Sequence, residues 1–213
     1  IGGVIVATWD YVITTAYQQH YSYGRNAQNV VNFLQSQGYS NSAIVGVLAN
    51  MEHESSINPG QQEHGKGGAV EYGYGLVQWT PARTKILAYA DSVGGDWWNG
   101  DLQMAYFMQN VPASWIKTSN FPYTYSQFTQ MNDIYLATRT FFACFERGTF
   151  HNDLLTYADY WSSHVDFSGG GGETPVIPPE KPPIYRPNPD ISLEDSLKII
   201  IMMCDTKRKK FDI

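Results

Sequence analysis

An apolar stripe closed by a proline stop constrains the fold of this chain more than any other feature. Residues 40–60 read SNSAIVGVLANMEHESSINPG, and large apolar side chains recur there at helical spacing, at Ile44, Val47, Leu48 and Met51. The polar cluster at 40–42 supplies capping side chains before the stripe, and Asn58-Pro59 forbids its continuation. The pattern predicts a helix that buries one face and ends before residue 58.

Helical patterns account for most of the remaining chain up to residue 164. One helix is predicted from Asn26, as its N-cap, to Gly38, as its stop, and others at 81–92, 100–110, 126–146 and 152–164. The segment 126–146 contains IYLATRTFFACF, whose bulk predicts a central, buried helix. The Gly-rich interval 59–75 predicts a loop or a small hairpin. The predicted fold class is therefore α+β, mainly α.

Changes in composition divide the chain into four parts. Residues 1–25 are rich in Tyr and Thr and are predicted to form an extended or mixed lead-in, and residues 26–167 form the helical domain. Residues 168–189, SGGGGETPVIPPEKPPIYRPNP, are typical of a linker. Residues 190–213 are too short to fold alone, so we expect the start of another domain or a docking segment. Because the chain begins with Ile, we expect a processed product or an excised piece.

Charge and hydropathy exclude several classes of protein. The net charge is −6, and the basic run KRKK at 207–210 is more typical of a solvated tail than of a nucleic-acid-binding surface. No apolar run approaches the length of a membrane span. Aromatic residues make up 15% of the chain, which suits either a groove that grips its ligand by stacking or a Tyr-rich surface.

Cysteine and histidine patterns indicate neither a thiol nucleophile nor a metal. Cys144 lies in the apolar stretch FFACF, so we expect a buried thiol, and its distance from Cys204 does not indicate a disulfide framework. The histidines and cysteines lack the spacing of a zinc site. No cofactor is therefore expected.

Glu52 and Glu54 stand at the end of the helix that is predicted to stop before Asn58-Pro59. On a helical wheel they fall on the two edges of the apolar stripe, with Glu54 slightly nearer its centre. A carboxylate in the last turn faces the negative end of the helix dipole and loses solvation beside apolar surface, so its pKa should rise. A general acid needs this property. The alternative is that both are solvated residues of a helix end.

Several ordered motifs resemble those of the phage tail lysozyme (tail lysin) family of the lysozyme superfamily. The matching motifs are Asn50-Met51, Glu54-Ser55, Asn58-Pro59, Gly75-Leu76-Val77-Gln78-Trp79 and Phe145-Glu146. The resemblance covers about residues 26–165. It implies a lysozyme-like helical domain with a small irregular β-region, at residues 59–80, lining a cleft.

The resemblance also implies roles for individual residues. Glu54 would be the catalytic acid, with Glu52 as its neighbour. Around it, Ser55, Gly73 and Gly75 would support the site, while Tyr74, Gln78 and Trp79 would bind substrate. For Tyr74 and Trp79 a place in the core is the alternative. A second carboxylate is usual in glycoside hydrolysis, and Glu63 is the candidate, although related enzymes often use the substrate's own acetamido group.

The activity that the resemblance implies is hydrolysis of the glycan strand of bacterial peptidoglycan. The expected setting is the tip of a phage tail, with the cell wall and other tail proteins as partners. Two alternatives stay open. One is a lytic transglycosylase, which leaves 1,6-anhydro ends, and the other is a wall-binding or structural tail module without turnover.

Overall fold

The computed structural model of the chain describes residues 7–168. The linker beyond Ser168 and the C-terminal segment 190–213 lie outside these residues. The described elements run in the order α1 (Gly24–Ser36), α2 (Asn41–Ser55), a 3-10 turn (Ala82–Thr84), α3 (Ile86–Val93), α4 (Gly100–Ser114), α5 (Tyr125–Phe128), α6 (Ile134–Phe141), a π-helical turn (Phe142–Glu146) and α7 (Asp153–His164).

Helix α2 is the centre of the fold, since it packs against α1, α6 and α7. Buried residues lie on nearly every side of this helix, since both its apolar stripe and its small residues face other parts of the protein. Ser40 caps it by accepting a hydrogen bond from the Ala43 amide. The helix predicted between the capping cluster at 40–42 and Asn58-Pro59 is confirmed, and it ends at Ser55 because Ser56 and Ile57 take left-handed conformations.

Helix α1 begins earlier than predicted, at Gly24, and the assignment of Asn26 as its N-cap is wrong. Asn26 is the third residue of α1, and its side chain is fully buried. Its side chain accepts from the Asp10 amide and donates to the carbonyls of Asp10 and Ile57. In an isolated helix, an Asn side chain near the N-terminus can accept hydrogen bonds from the free amides of the first turn. In the folded protein, the Asn26 side chain instead binds the backbone of Asp10 and Ile57.

The single helix predicted over 126–146 is interrupted. Helix α5 ends at Phe128, and Asp133 starts α6 by accepting hydrogen bonds from the Tyr135 and Leu136 amides. The last turn of this region widens into the π-helical turn that ends at Glu146. The buried centre of the fold is α2, and α6 packs beside it.

The predicted β-region is not confirmed. Within residues 7–168 the segment 59–80 takes part in isolated β-bridges, Thr14 with Gln61, Gln62 with Tyr74, and Tyr74 with Trp79. Its glycines at 65, 67, 68 and 75 have positive φ angles, which interrupt any extended run. The segment is an irregular loop that folds back over the C-terminal end of α2.

Across residues 7–168, none of the helices combines the length and the apolar character needed to cross a bilayer.

Candidate active site

The C-terminal end of α2 is tied to the irregular loop through Ser55. Its hydroxyl donates to the carbonyl of Met51, one turn earlier, and to the carbonyl of Leu76 in the loop, at 3.0 and 2.9 Å. Because this contact holds the last turn of α2 against the loop, the side chain of Glu54 is directed into the space between them.

That space is an open cavity of about 460 Å³. It is lined mainly by polar and charged side chains, among them Glu54, Glu63, His64, Gln78, Lys85, Glu146 and Arg147. The loop supplies one wall, and the π-helical turn at the end of α6 supplies another. Three carboxyl groups and two cationic groups therefore meet in one cleft.

Glu54 is the carboxyl group whose environment suits proton donation. Burial raises its pKa to about 7, and the negative charge of Glu63 adds to the rise. Within the described residues no hydrogen-bond donor holds its carboxylate, so nothing there offsets the lost solvation. At neutral pH this group keeps a proton for a large part of the time.

Glu146 is the second carboxyl group of the cleft whose pKa is raised. Burial is the main cause and the charge of Glu54 the next, while Arg147 and Lys85 act in the opposite direction. Among the residues that the structure describes, none forms a hydrogen bond with its buried oxygen Oε1. Burial also lowers the pKa of Lys85.

Glu63 lines the same cavity as Glu54. Its carboxylate accepts a hydrogen bond from the Gly73 amide at 3.0 Å, and its own amide donates to the Gly73 carbonyl at 2.8 Å. These two bonds join the two ends of the loop segment 63–73, on one wall of the cleft. The structure thus brings together the predicted acid and the candidate second carboxylate.

Gly73 and Gly75 stand where a side chain would collide. A Cβ at Gly73 would lie 2.9 Å from Oε1 of Gln78. At Gly75, where φ is +82°, a Cβ would lie 2.6 Å from Oε1 of Gln103, whose side chain is buried and binds the Leu76 amide. Both positions therefore support the loop beside Glu54, and their role in the site stays a prediction.

The three predicted substrate-binding residues occupy different environments. Gln78 lines the cavity, and its Nε2 donates to the Gly75 carbonyl at 3.0 Å. Trp79 reaches the cavity but is only 2% exposed, and its indole donates to Asn110. Tyr74 is 3% exposed, and its hydroxyl donates to the Gly68 carbonyl. Burial favours the core alternative for Tyr74 and Trp79, and substrate binding by all three stays a prediction.

Glu52 points away from the cleft, although the helical wheel placed it at an edge much like that of Glu54. It is fully buried and accepts hydrogen bonds from His20 at 2.8 Å, the Tyr21 amide at 2.9 Å and Trp161 at 3.2 Å. The wheel could not separate the two carboxylates because it includes only the residues of one helix. The lead-in and α7 cover Glu52, whereas the loop leaves Glu54 facing a cavity.

Sequence reasoning assigned no role to several residues of the cleft. Glu146 was visible only as part of a Phe-Glu motif, and Lys85 and Arg147 carried no pattern at all. Tyr17, which lines the cavity, belongs to the lead-in that no motif covered. The sequence signal that could have indicated Glu146 is an acidic residue directly after the apolar stretch FFACF.

A second cavity of about 270 Å³ continues the cleft beyond Glu54. Tyr17, Glu54, His64 and Gln78 line both cavities, so Glu54 lies between the two halves of one groove. The far half is lined by His20, His53, Asp153 and Tyr157, among others. Across residues 7–168, no three His, Cys, Asp or Glu side chains converge in a way that could hold a metal ion.

The chain is also similar to a known protein family. A family model described as phage tail lysozyme matches residues 25–163. The chain belongs to the phage tail lysozyme family. The matched region contains Glu54, Glu63 and Glu146, and it excludes most of the lead-in.

A comparison with an individual protein gives a consistent result. Morphogenesis protein 1 of Bacillus phage B103 is 36% identical to this chain over 155 residues, which is 69% of the chain and 41% of that protein. The chain therefore spans less than half the length of this relative. Together the two comparisons identify a phage lysozyme-like tail protein.

Proposed function

We propose that this tail lysozyme hydrolyses the glycan strand of bacterial peptidoglycan, at the bond between N-acetylmuramic acid and N-acetylglucosamine, with Glu54 as the general acid. The observation that carries the proposal is the partly buried Glu54 in an open, polar cleft, with its pKa raised to about 7. A polymer can pass along such a groove, and a group with that pKa can both hold and release a proton near neutrality. Family membership supports peptidoglycan as the substrate.

The chemistry assigned to Glu54 is protonation of the bridging oxygen as the glycosidic bond breaks. The sugar then passes through an oxocarbenium-like state that needs a negative charge or a nucleophile on its other side. Glu63 lines the same cavity and is the candidate for that role. The acetamido group of the substrate is the alternative partner.

The setting that we propose is the tip of a phage tail, where local cleavage of the host wall accompanies infection. The family description and the relative's description as a morphogenesis protein support a place among tail components. Other tail proteins would then be its partners.

The experiment that tests the proposal is mass spectrometry of muropeptides released from purified peptidoglycan. Wild type is compared with Glu54→Gln and with Glu71→Gln, a matched control. Glu71 lies in the same loop and is exposed, and it pairs with Arg83 at 2.7 Å. We expect reducing-end fragments from wild type and from Glu71→Gln, and none from Glu54→Gln.

Two other outcomes would replace the proposal. Fragments with 1,6-anhydro ends that depend on Glu54 would identify a lytic transglycosylase. No release from several wall types, with binding to the wall retained, would identify a binding module.

A second variant, Glu63→Gln, separates the two candidates for the other side of the sugar. Gln keeps an oxygen that can accept from the Gly73 amide, so the loop should stay in place. A large loss of turnover with unchanged wall binding is expected if Glu63 is the second carboxylate. Nearly unchanged turnover would favour assistance by the substrate's acetamido group.

A further inference from the structure

The lead-in up to Tyr23 lies outside the residues that match the family, yet its described part is packed onto the helical domain. Trp9 donates its indole N–H to Asp101 at 2.9 Å. Its ring covers Gly100 so closely that a Cβ there would lie 2.0 Å from the ring. Trp9 thus anchors the described part of the lead-in at the first turn of α4.

The middle of the lead-in is joined to the loop that follows α2. Asn58 accepts from the Val12 amide at 3.1 Å and donates to the Val12 carbonyl at 2.8 Å. The Thr14 amide then donates to the Gly60 carbonyl, and the Thr14 carbonyl accepts from the Gln62 amide. These bonds lead the chain along the loop toward the cleft.

Tyr17 is the residue that the segment delivers to the cleft. Its ring stacks on the ring of His64, with centroids 3.7 Å apart and 21° between the planes. His64 is held in turn by a contact of 3.0 Å between its Nδ1 and the Thr15 carbonyl. The lead-in therefore supplies both the Tyr17 ring and a tether for the His64 ring beneath it.

The exposure of Tyr17 sets it apart from the other rings of the groove. It is 79% exposed and lines both cavities. Trp79, Phe145 and Tyr157, the other indole and phenyl rings that line the two cavities in the described residues, are each less than 10% exposed. A large aromatic face open to water beside Glu54 is suited to contact with a ligand.

We propose that Tyr17, stacked on His64, is a platform for a pyranose ring of the glycan strand next to the bond that Glu54 cleaves. The C–H groups on the face of a β-linked amino sugar are apolar and match the face of an aromatic ring. Tyr17 is then a substrate-binding residue that the lead-in adds to the family's domain. The inference rests on the proposed function and names a contact with its substrate.

The test measures binding to insoluble purified peptidoglycan in the Glu54→Gln background, so that turnover does not interfere. Tyr17→Ala is expected to weaken binding by roughly 5- to 10-fold, and Tyr17→Phe to keep it, because only the ring face is used. Tyr11→Ala is the matched control, since Tyr11 is 49% exposed on the same segment and lines neither cavity. Tyr17→Leu separates an aromatic face from simple apolar bulk, and thermal melts check that each variant is folded.

In the active enzyme, Tyr17→Ala should raise KM by a similar factor and leave kcat within about twofold. Unchanged binding by Tyr17→Ala, equal weakening by Tyr11→Ala, or full binding by Tyr17→Leu would overturn the proposal. The outcome is separable from that of the proposed function. If wild type releases no fragments but binding still depends on the Tyr17 ring, the hydrolase proposal fails and the platform stands as part of a wall-binding module.

Discussion

At the scale of single residues, two glutamates of one helix show how surroundings decide chemistry. Burial raises the pKa of Glu52. The three hydrogen bonds that its carboxylate accepts act in the opposite direction but are the smaller effect. Glu54 is partly buried, and none of the described residues donates a hydrogen bond to it. Burial raises its pKa, and the charge of Glu63 raises it further. The carboxylate of Glu52 is therefore engaged by its protein neighbours, whereas that of Glu54 faces the cavity and is available to a ligand.

The raised pKa of Glu54 predicts a pH-dependent effect of Glu54→Gln on stability. The pKa of Glu54 is about 7 in the folded state and 4.5 in the unfolded state. Between these two pH values only the folded state holds the proton, so the free energy of unfolding falls as pH rises. Gln does not ionise and escapes this loss. We expect Glu54→Gln to raise the free energy of unfolding by about 3 kcal/mol at pH 8 and by little at pH 4.

Urea denaturation of wild type and variant at the two pH values measures this difference. Glu71→Gln removes a carboxylate from an exposed ion pair and should show almost no pH-dependent gain. Equal changes at pH 4 and pH 8 for Glu54→Gln would show that its pKa is not raised in the folded protein.

At the scale of elements, the crossing of α2 and α6 depends on one glycine. A Cβ at Gly46 would lie 2.8 Å from the carbonyl carbon of Ala137 and 2.9 Å from the Thr138 amide nitrogen. Both are backbone atoms, which cannot rotate away. The side chain of Asn50 crosses the same contact and donates to the Gly46 and Thr138 carbonyls.

Gly46→Ala is therefore expected to lower the free energy of unfolding by about 2–3 kcal/mol, because the two helices must separate. The control is Gly24→Ala at the start of α1, where a Cβ would meet no atom of residues 7–168 within 4 Å. Its effect should stay within about 0.5 kcal/mol. Thermal and chemical denaturation of both variants measure the contrast, and similar values for the two would contradict this packing.

At the scale of the whole molecule, Glu52 joins three parts of the chain. Its carboxylate on α2 binds His20 and Tyr21 of the lead-in and Trp161 of α7. The ring nitrogen of His20 that faces away from Glu52 contacts the Tyr157 hydroxyl at 3.1 Å. One buried carboxyl group thus holds the lead-in and the last helix against the central helix.

Glu52→Ala removes the acceptor of three hydrogen bonds and leaves the buried Trp161 indole N–H without its acceptor, so we expect it to lower the free energy of unfolding by about 3 kcal/mol. The surface variant Glu71→Ala, which breaks an exposed ion pair, should cost less than about 1 kcal/mol. Equilibrium denaturation gives both values, and limited proteolysis should show earlier cleavage before residue 23 in Glu52→Ala. A stable variant with an intact lead-in would show that these bonds do not hold the segment.

Local patterns in the sequence determined the helices, because periodicity and stop signals depend on neighbouring residues alone. The stripe from Ile44 to Met51 and the stop at Asn58-Pro59 predicted α2, and the motif pair around Glu54 and Gly75 predicted the family. Membership of that family and the mainly helical fold are confirmed. The roles of the predicted site residues stay predictions.

Tertiary structure decided what no local pattern contains, namely which side chains lose water and which find partners. Asn26 became a buried tether rather than a cap, and the segment 59–80, where glycines interrupt extended runs, takes part in isolated β-bridges within residues 7–168. Burial of Glu52 by α7, the approach of Glu146 to Glu54, and the delivery of Tyr17 to the cleft all join residues distant in sequence. Desolvation depends on every atom around a group, so it is determined only once the chain has folded.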